Sequence, residues 1–220
     1  MLGARCCVLV LNAEEPMRVA LIDYRAGNLT SVKKAFAAVG ADLFVPVEPV
    51  DLRTAAAVVV PGVGHFAATG ALTPEWVETI RAGIEAGVPL LGICLGMQWL
   101  FEGSEEAPER PGLRLLEGRC YRLPAGSNLA AVKIPHVGWN ALDLRRRDSI
   151  VEGVPADAQV YFTHSFVAPI TPDTVAVTEH GQPFASIVQR GHVAGVQFHP
   201  EKSGEVGLTI LRNFLRLVDD

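Results

Sequence analysis

Two short runs free of polar side chains, Ala55–Val60 and Val88–Ile93, each lead into a glycine-bearing turn, Pro61-Gly62-Val63-Gly64 after the first and Cys94-Leu95-Gly96 after the second. A strand with one wet face alternates apolar and polar residues; continuous apolarity instead demands burial on both faces, as in a parallel sheet covered by helices. Helices of the right kind lie between the strands. Leu29, Val32, Phe36 and Val39 recur at helical spacing behind a candidate N-cap at Asn28 and stop at Gly40, and Pro74 to Gly87 opens with proline near its first turn. Arg18–Asp23 and Leu43–Val45 add two more strands.

The second half has a different texture. Runs with period two, over Arg119–Leu123, Gln159–His164, Thr174–Glu179, Phe184–Gln189 and His192–His199, are separated by Gly, Pro and Asp, which predicts mixed or antiparallel strands. A closing helix over about Ser203–Val218 carries Val206, Ile210, Phe214 and Leu217 on one face. With no repeat and no linker, these elements predict a single-domain α/β layer sandwich with a mixed, partly parallel central sheet. A chain of 220 residues suits one domain.

Composition excludes several functions. Apolar residues make up 49% of the chain, too many for disorder. There are 19 basic and 24 acidic residues, a net charge of −5, and one basic run, Arg145-Arg146-Arg147, which reads as a solvated loop. Neither nucleic acid nor an anionic membrane is an expected partner, and no apolar run reaches the roughly 20 residues of a bilayer span. Residues 1–16 read as an extension outside the fold. Their apolar centre, Cys6–Leu11, is short for a signal peptide and no small-x-small cleavage site follows, whereas Met17 directly precedes a well-formed strand, so the domain is expected over residues 17–220. Cys6, Cys7, Cys94 and Cys120 have neither zinc-ligand nor Cys-x-x-Cys spacing, which favours a reducing, cytoplasmic location. No His-Glu-x-x-His occurs, and neither metal nor cofactor is expected.

The chemistry concentrates where the second apolar run ends. Gly92-Ile93-Cys94-Leu95-Gly96 has the form of a nucleophile elbow, in which a strained strand-to-helix turn projects its central side chain at the C-terminal edge of the sheet. The N–H of Leu95 is then placed to donate to an oxyanion. A cysteine in an apolar strand is also often an ordinary buried residue, so the segment by itself leaves both readings open. The end of the last strand supplies what a thiol nucleophile needs. In an extended Phe198-His199-Pro200-Glu201, His199 and Glu201 point to the same side, a base and the group that orients it. By itself a His-x-Glu is more often a surface pair. His65, His136, His180 and His192 read as surface or loop residues, and His164, beside Ser165, as a wall of the pocket.

With these segments in place the chain resembles the class I (triad) glutamine amidotransferases, and more narrowly the glutaminase subunits of imidazole glycerol phosphate synthase. The resemblance runs from Met17 to Val218. It is carried by Asp23-Tyr24-Arg25-Ala26-Gly27-Asn28, Pro61-Gly62-Val63-Gly64-His65-Phe66, Gly92–Gln98, His136-Val137-Gly138-Trp139-Asn140, His164-Ser165-Phe166 and Gly195–Ser203. One departure is visible, because the family's first loop usually reads Gly-x-Gly-Asn where this chain has Arg25-Ala26-Gly27-Asn28.

The resemblance implies hydrolysis of L-glutamine to glutamate and ammonia through a thioester on Cys94, with His199 relaying protons and Glu201 orienting it. It implies an oxyanion hole from the N–H groups of Val63 and Leu95, assembled on demand because glycines flank Val63. Gly62, Gly64, Gln98, Ser165 and Phe166 are implied to bind substrate. The implied partner is a (β/α)8 cyclase subunit, joined as a heterodimer through a face including Asn28, Trp139 and Lys202. That subunit would receive ammonia to make imidazole glycerol phosphate and aminoimidazole carboxamide ribotide in histidine biosynthesis. Trp139 fits an ordinary half-buried aromatic equally well. Two other readings are weighed. A glutaminase serving another amidotransferase, such as pyridoxal phosphate synthase, is opposed by Glu201-Lys202-Ser203 and Gly138-Trp139-Asn140; a non-catalytic module is opposed by the intact Cys94, His199, Glu201 and both oxyanion segments.

Overall fold

A computed structural model of the chain describes residues 17–124 and 132–218. The extension expected over residues 1–16 lies outside the described residues. The first half runs β1 (Arg18–Leu21), α1 (Leu29–Ala38), β2 (Asp42–Phe44), β3 (Ala57–Val60), α2 (Pro74–Glu85), β4 (Leu90–Ile93) and α3 (Leu95–Trp99). The second half adds β5 (Gly103–Ser104), β6 (Arg119–Arg122), β7 (His136–Ala141), β8 (Asp143–Leu144), β9 (Gln159–His164), β10 (Phe166–Val167), β11 (Thr174–Glu179), β12 (Pro183–Arg190), β13 (Val193–Val196) and α4 (Gly204–Arg216).

Eight strands form the central sheet in the order β2-β1-β3-β4-β13-β12-β11-β8. Pairing is parallel from β2 through β13 and antiparallel from β13 through β8, so the sheet is mixed as the two textures of the sequence predict. Two small sheets, β10-β6-β5 and β7-β9, flank it.

The unbroken apolar runs are buried on both faces. On β1 and β3, Val19, Leu21, Ala57 and Val59 face one core, which α1 and α4 close, with Phe36 and Phe214 meeting edge-on at 6.4 Å. Ala20, Ile22, Val58 and Val60 face a second core shared with Ile80 of α2 and with Leu95, Met97 and Trp99 of α3. Burying a phenylalanine such as Phe36 or Phe214 fully is worth roughly 2–3 kcal/mol, so the helices are held mainly by these faces. Asn28 caps α1, accepting from the N–H of Ser31 at 3.3 Å. The C-terminal ends of β3, β4 and β13 lie side by side, and the loops that follow them meet there.

Candidate active site

Cys94 sits at the elbow in a strained conformation that the surrounding packing imposes. Its φ of 53° and ψ of −105° place an L-residue where only glycine is comfortable. The turn is so tight that a Cβ on Gly92 would fall 2.6 Å from the carbonyl oxygen of Gly96, and one on Gly96 would fall 1.7 Å from that of Val60. The thiol is only 4% exposed.

His199 and Glu201 meet, but not through an extended segment. β13 ends at Val196, and Pro200–Lys202 form one turn of 3-10 helix with Pro200 in the first position, where its missing N–H costs nothing. The turn folds Glu201 back on its neighbour. His199 donates from Nδ1 to Glu201 Oε1 at 2.8 Å, with side chains 3% and 4% exposed. Ser203 anchors the turn: its hydroxyl donates to the carbonyl of His199 at 2.7 Å and accepts from the N–H of Tyr161 at 3.0 Å. Burial works against a charged His199 ring, yet Cys94 and Glu201 beside it outweigh burial and raise its pKa to about 9. Its Nε2 is buried without a hydrogen bond of proper geometry among the described residues. The sulfur is thus a close neighbour that is not yet in line with Nε2, a looseness common before substrate arrives.

A directed hydrogen-bond network reaches the sulfur from the other side. Gln197 donates to Cys94 Sγ at 3.5 Å and accepts from Gln98 Nε2 at 3.0 Å, and Gln98 also donates to the carbonyl of Phe166 at 2.8 Å. That carbonyl can only accept, so His164 Nδ1, 3.0 Å away, carries the proton and His164 Nε2 accepts from His136 Nδ1 at 3.1 Å. His136 Nε2 then accepts from Asn140, 3.3 Å away. Both imidazoles are therefore neutral, and burial first, then neighbouring histidines, lower their pKa values to about 4 for His136 and about 3 for His164. His136 is 3% exposed and stacked on Phe162 and His180, which corrects its reading as a surface or loop residue. No strand is predicted from sequence over His136–Ala141, whose apolar Val137 and Trp139 face outward; pairing with β9 and packing on Phe162 and Phe184 cover His136 instead. Of the other histidines, His65 caps the turn after Gly64, and His192 bonds the carbonyl of Ile84 at 2.8 Å.

Both candidate oxyanion donors are already used. Leu95 donates its N–H to the carbonyl of Gly62 at 3.3 Å, and Val63 donates its N–H to the carbonyl of Ala26 at 3.1 Å. The Gly62 carbonyl and the Val63 N–H belong to one peptide unit. In this conformation that unit points its acceptor at the elbow and its donor away, so the hole expected at Val63 and Leu95 is unformed.

Gly64, Cys94, Leu95, Gln98, Ser165 and Phe166 line a cavity of about 290 Å3 together with Glu106, Pro135, Thr163 and His164. Gln98 is 4% exposed, with both amide hydrogens committed, so its remaining group toward a ligand is the carbonyl oxygen. Three residues were missed from sequence. Glu106 brings a carboxylate into the cavity, with Oε2 taking the N–H of Phe66 at 2.6 Å; Gln197 touches the sulfur; and Tyr24 packs on Gly62. Gln197 had a signal in its place two residues before His199, whereas Glu106 and Tyr24 depend on distant contacts. A larger apolar groove, about 940 Å3 between Pro49–Thr54 and α2, includes neither a cysteine nor a histidine in its lining.

Trp139 is 57% exposed and meets Tyr161 edge-on at 6.2 Å, while Lys202 Nζ stands 5.6 Å over the same ring. Val137, also 57% exposed, lies on the same strand. Asn28, on the loop before α1, spends its carbonyl oxygen as the cap already described.

The fold and the cysteine at the elbow beside a His–Glu pair point to one class of protein. The profile of the class-I glutamine amidotransferases matches residues 20–218, and the chain belongs to that family. Its relatives narrow the membership to the subunit HisH of imidazole glycerol phosphate synthase. The protein of that name from Moorella thermoacetica is 45% identical over 204 residues, covering 91% of this chain and 95% of the relative. Those from Lactiplantibacillus plantarum and Methanothermobacter thermautotrophicus are 46% and 42% identical, covering 90% and 91% of this chain and 95% and 98% of theirs. Among solved structures, a glutamine amidotransferase superposes with a TM-score of 0.71 at 22% identity, over 92% of this chain and 99% of that one. A glutamine amidotransferase from Thermotoga maritima gives 0.66 at 16% identity, over 94% and 100%. At those identities the likeness concerns the fold alone.

Proposed function

We propose that this chain is the glutaminase subunit of an imidazole glycerol phosphate synthase. The observation that carries the reading is the strained Cys94 beside the buried His199–Glu201 pair. Cys94 sulfur attacks the side-chain carboxamide carbon of L-glutamine, and the imidazolium of His199 protonates the departing nitrogen, which leaves as ammonia. Water, deprotonated by the same ring, then cleaves the γ-glutamyl thioester, releasing glutamate and restoring the thiol. Glu201 holds His199 in the tautomer that faces the sulfur.

The oxyanion of each tetrahedral intermediate requires the N–H groups of Leu95 and Val63. A turnover of the Gly62–Val63 peptide would free both at once, since its carbonyl caps Leu95 and its N–H is held by Ala26. With no side chain at Gly62 or Gly64, that turnover meets no Cβ clash of its own, and Gln98, Ser165 and Phe166 line the space for the amino-acid end of the substrate, where Glu106 offers a counter-charge to its ammonium.

Ammonia in bulk water is mostly protonated and unreactive, so it must pass to its acceptor under cover. We assign that acceptor to a (β/α)8 cyclase subunit docked, as a heterodimer, on the face bearing Asn28, Trp139 and Lys202. Exposed Val137 and Trp139 support a docking role for that face. The product pair is imidazole glycerol phosphate and aminoimidazole carboxamide ribotide. The glutaminase domain is taken as residues 17–220, with residues 1–16 as an extension. Among the described residues no helix is long and apolar enough to cross a membrane, and a thiol nucleophile suits the reducing cytoplasm.

The test is Cys94→Ala in complex with the cyclase. Glutamine-dependent turnover should vanish while turnover with added ammonium salts persists; glutamine hydrolysis surviving in that variant would overturn the proposal.

A further inference from the structure

Tyr24 contributes a buried polar group that the chemistry above does not use. Its side chain is 5% exposed, and its hydroxyl makes no hydrogen bond to the described residues. Burial, and then the neighbouring Cys94, push its pKa far above the ordinary tyrosine range, so the phenol is neutral and keeps its proton. A buried hydroxyl without a partner destabilises a fold, and tyrosine is usually placed so that its O–H is satisfied.

The location of this hydroxyl supplies the reason. It is pressed against Gly62, where a Cβ would fall 2.0 Å from the phenolic oxygen. Gly62 owns the carbonyl that now caps Leu95 through a long 3.3 Å bond, in the peptide whose N–H is held by Ala26 at 3.1 Å. When that peptide turns over, its carbonyl leaves the Leu95 N–H and needs a new donor. The hydroxyl beside it is an uncommitted donor.

We propose that Tyr24 is a positioning residue for the oxyanion hole, its hydroxyl donating to the Gly62 carbonyl once the Gly62–Val63 peptide has turned. The hydroxyl is unsatisfied in the resting conformation and satisfied in the turned one, so it biases the peptide toward the state that exposes both N–H groups. No bond to substrate is required. A glycine at 62 is needed for the contact itself, because any side chain would occupy the hydroxyl's place. This inference rests on the glutaminase reading, and its test separates the two.

The variant is Tyr24→Phe, assayed in the cyclase complex with cyclase ligand present. Losing one neutral hydrogen bond made only in the turned state should lower glutaminase kcat by about tenfold. KM for glutamine should stay within about twofold, because the ring and cavity remain. Thermal stability should hold or rise, since the resting state loses an unsatisfied group; a merely structural tyrosine would lower it. Unchanged kcat overturns the proposal, and so does a loss of kcat accompanied by a lower Tm or a weakened KM. Cys94→Ala, run beside it, reports on the underlying reading: an inactive Cys94→Ala with a fully active Tyr24→Phe sinks the tyrosine's role alone, whereas an active Cys94→Ala sinks both.

Discussion

Val63 donates its backbone N–H to the carbonyl of Ala26 at 3.1 Å, tying the candidate oxyanion loop to the loop after β1. While that bond and the one from Leu95 to Gly62 persist, neither of the two N–H groups proposed for the oxyanion hole is available to the developing oxyanion. Each such donor is worth about 3 kcal/mol of barrier in other hydrolases. The isolated chain should therefore hydrolyse glutamine slowly, and cyclase with its ligand should raise kcat by at least about a hundredfold. Steady-state glutaminase assays with and without the partner check this. High turnover by the chain alone would count against a hole built on demand.

In the same loop, Arg25 stands where the family's usual Gly-x-Gly-Asn has glycine. Its φ is 63°, in the left-handed region that favours glycine, and its N–H is steadied by Asp23 Oδ1 at 2.8 Å. An arginine there costs roughly 1–2 kcal/mol relative to an unstrained residue, partly offset by the extra freedom glycine has when unfolded. Arg25→Gly should stabilise the protein by about 0.5–1 kcal/mol in urea unfolding. A destabilised variant would mean that the arginine side chain supplies more than its backbone costs.

Two sets of histidines act on stability with opposite signs. The pKa of His199 is raised from 6.5 to about 9, so the fold holds more protons there than the unfolded chain; its stabilisation is complete below pH 6.5 and lost as pH climbs through 9. His136 and His164 are lowered to about 4 and about 3, so their contribution is complete above pH 6.5 and lost as pH falls below it. Stability should peak near pH 6.5. The alkaline limb, on the order of 3 kcal/mol, should flatten in Glu201→Gln, which removes one cause of the raised value. Parallel pH curves for that variant and the parent between pH 6.5 and 9 would disprove the assignment.

Trp139 offers the largest exposed aromatic surface on the candidate docking face, braced by Tyr161 rather than buried beneath it. Truncation to alanine should weaken cyclase binding by about 2 kcal/mol, near thirtyfold, with Tm changed little. Calorimetric titration and thermal unfolding distinguish this from a packing role, in which Tm would fall and affinity would hold.

Much of the molecule was legible in one dimension. The double-faced strands at Ala57–Val60 and Leu90–Ile93 follow from unbroken apolarity, and the elbow follows from glycines at 92 and 96, because both signals are local. The elbow and the His199-Pro200-Glu201 segment marked Cys94, His199 and Glu201 before the family resemblance did, though the extended link drawn between the last two gives way to a 3-10 turn begun by Pro200.

Sequence by itself thus determined the layered fold, the elbow and the residue types around the sulfur, since strand period, turn sterics and side-chain chemistry are written into neighbouring residues. Only the tertiary structure decided the direction of the Gly62–Val63 peptide, the burial of His136, and the meeting of Tyr24 with Gly62. Each of these depends on segments far apart in the chain competing for the same hydrogen-bond donors, acceptors and space, and no local pattern records which of them wins.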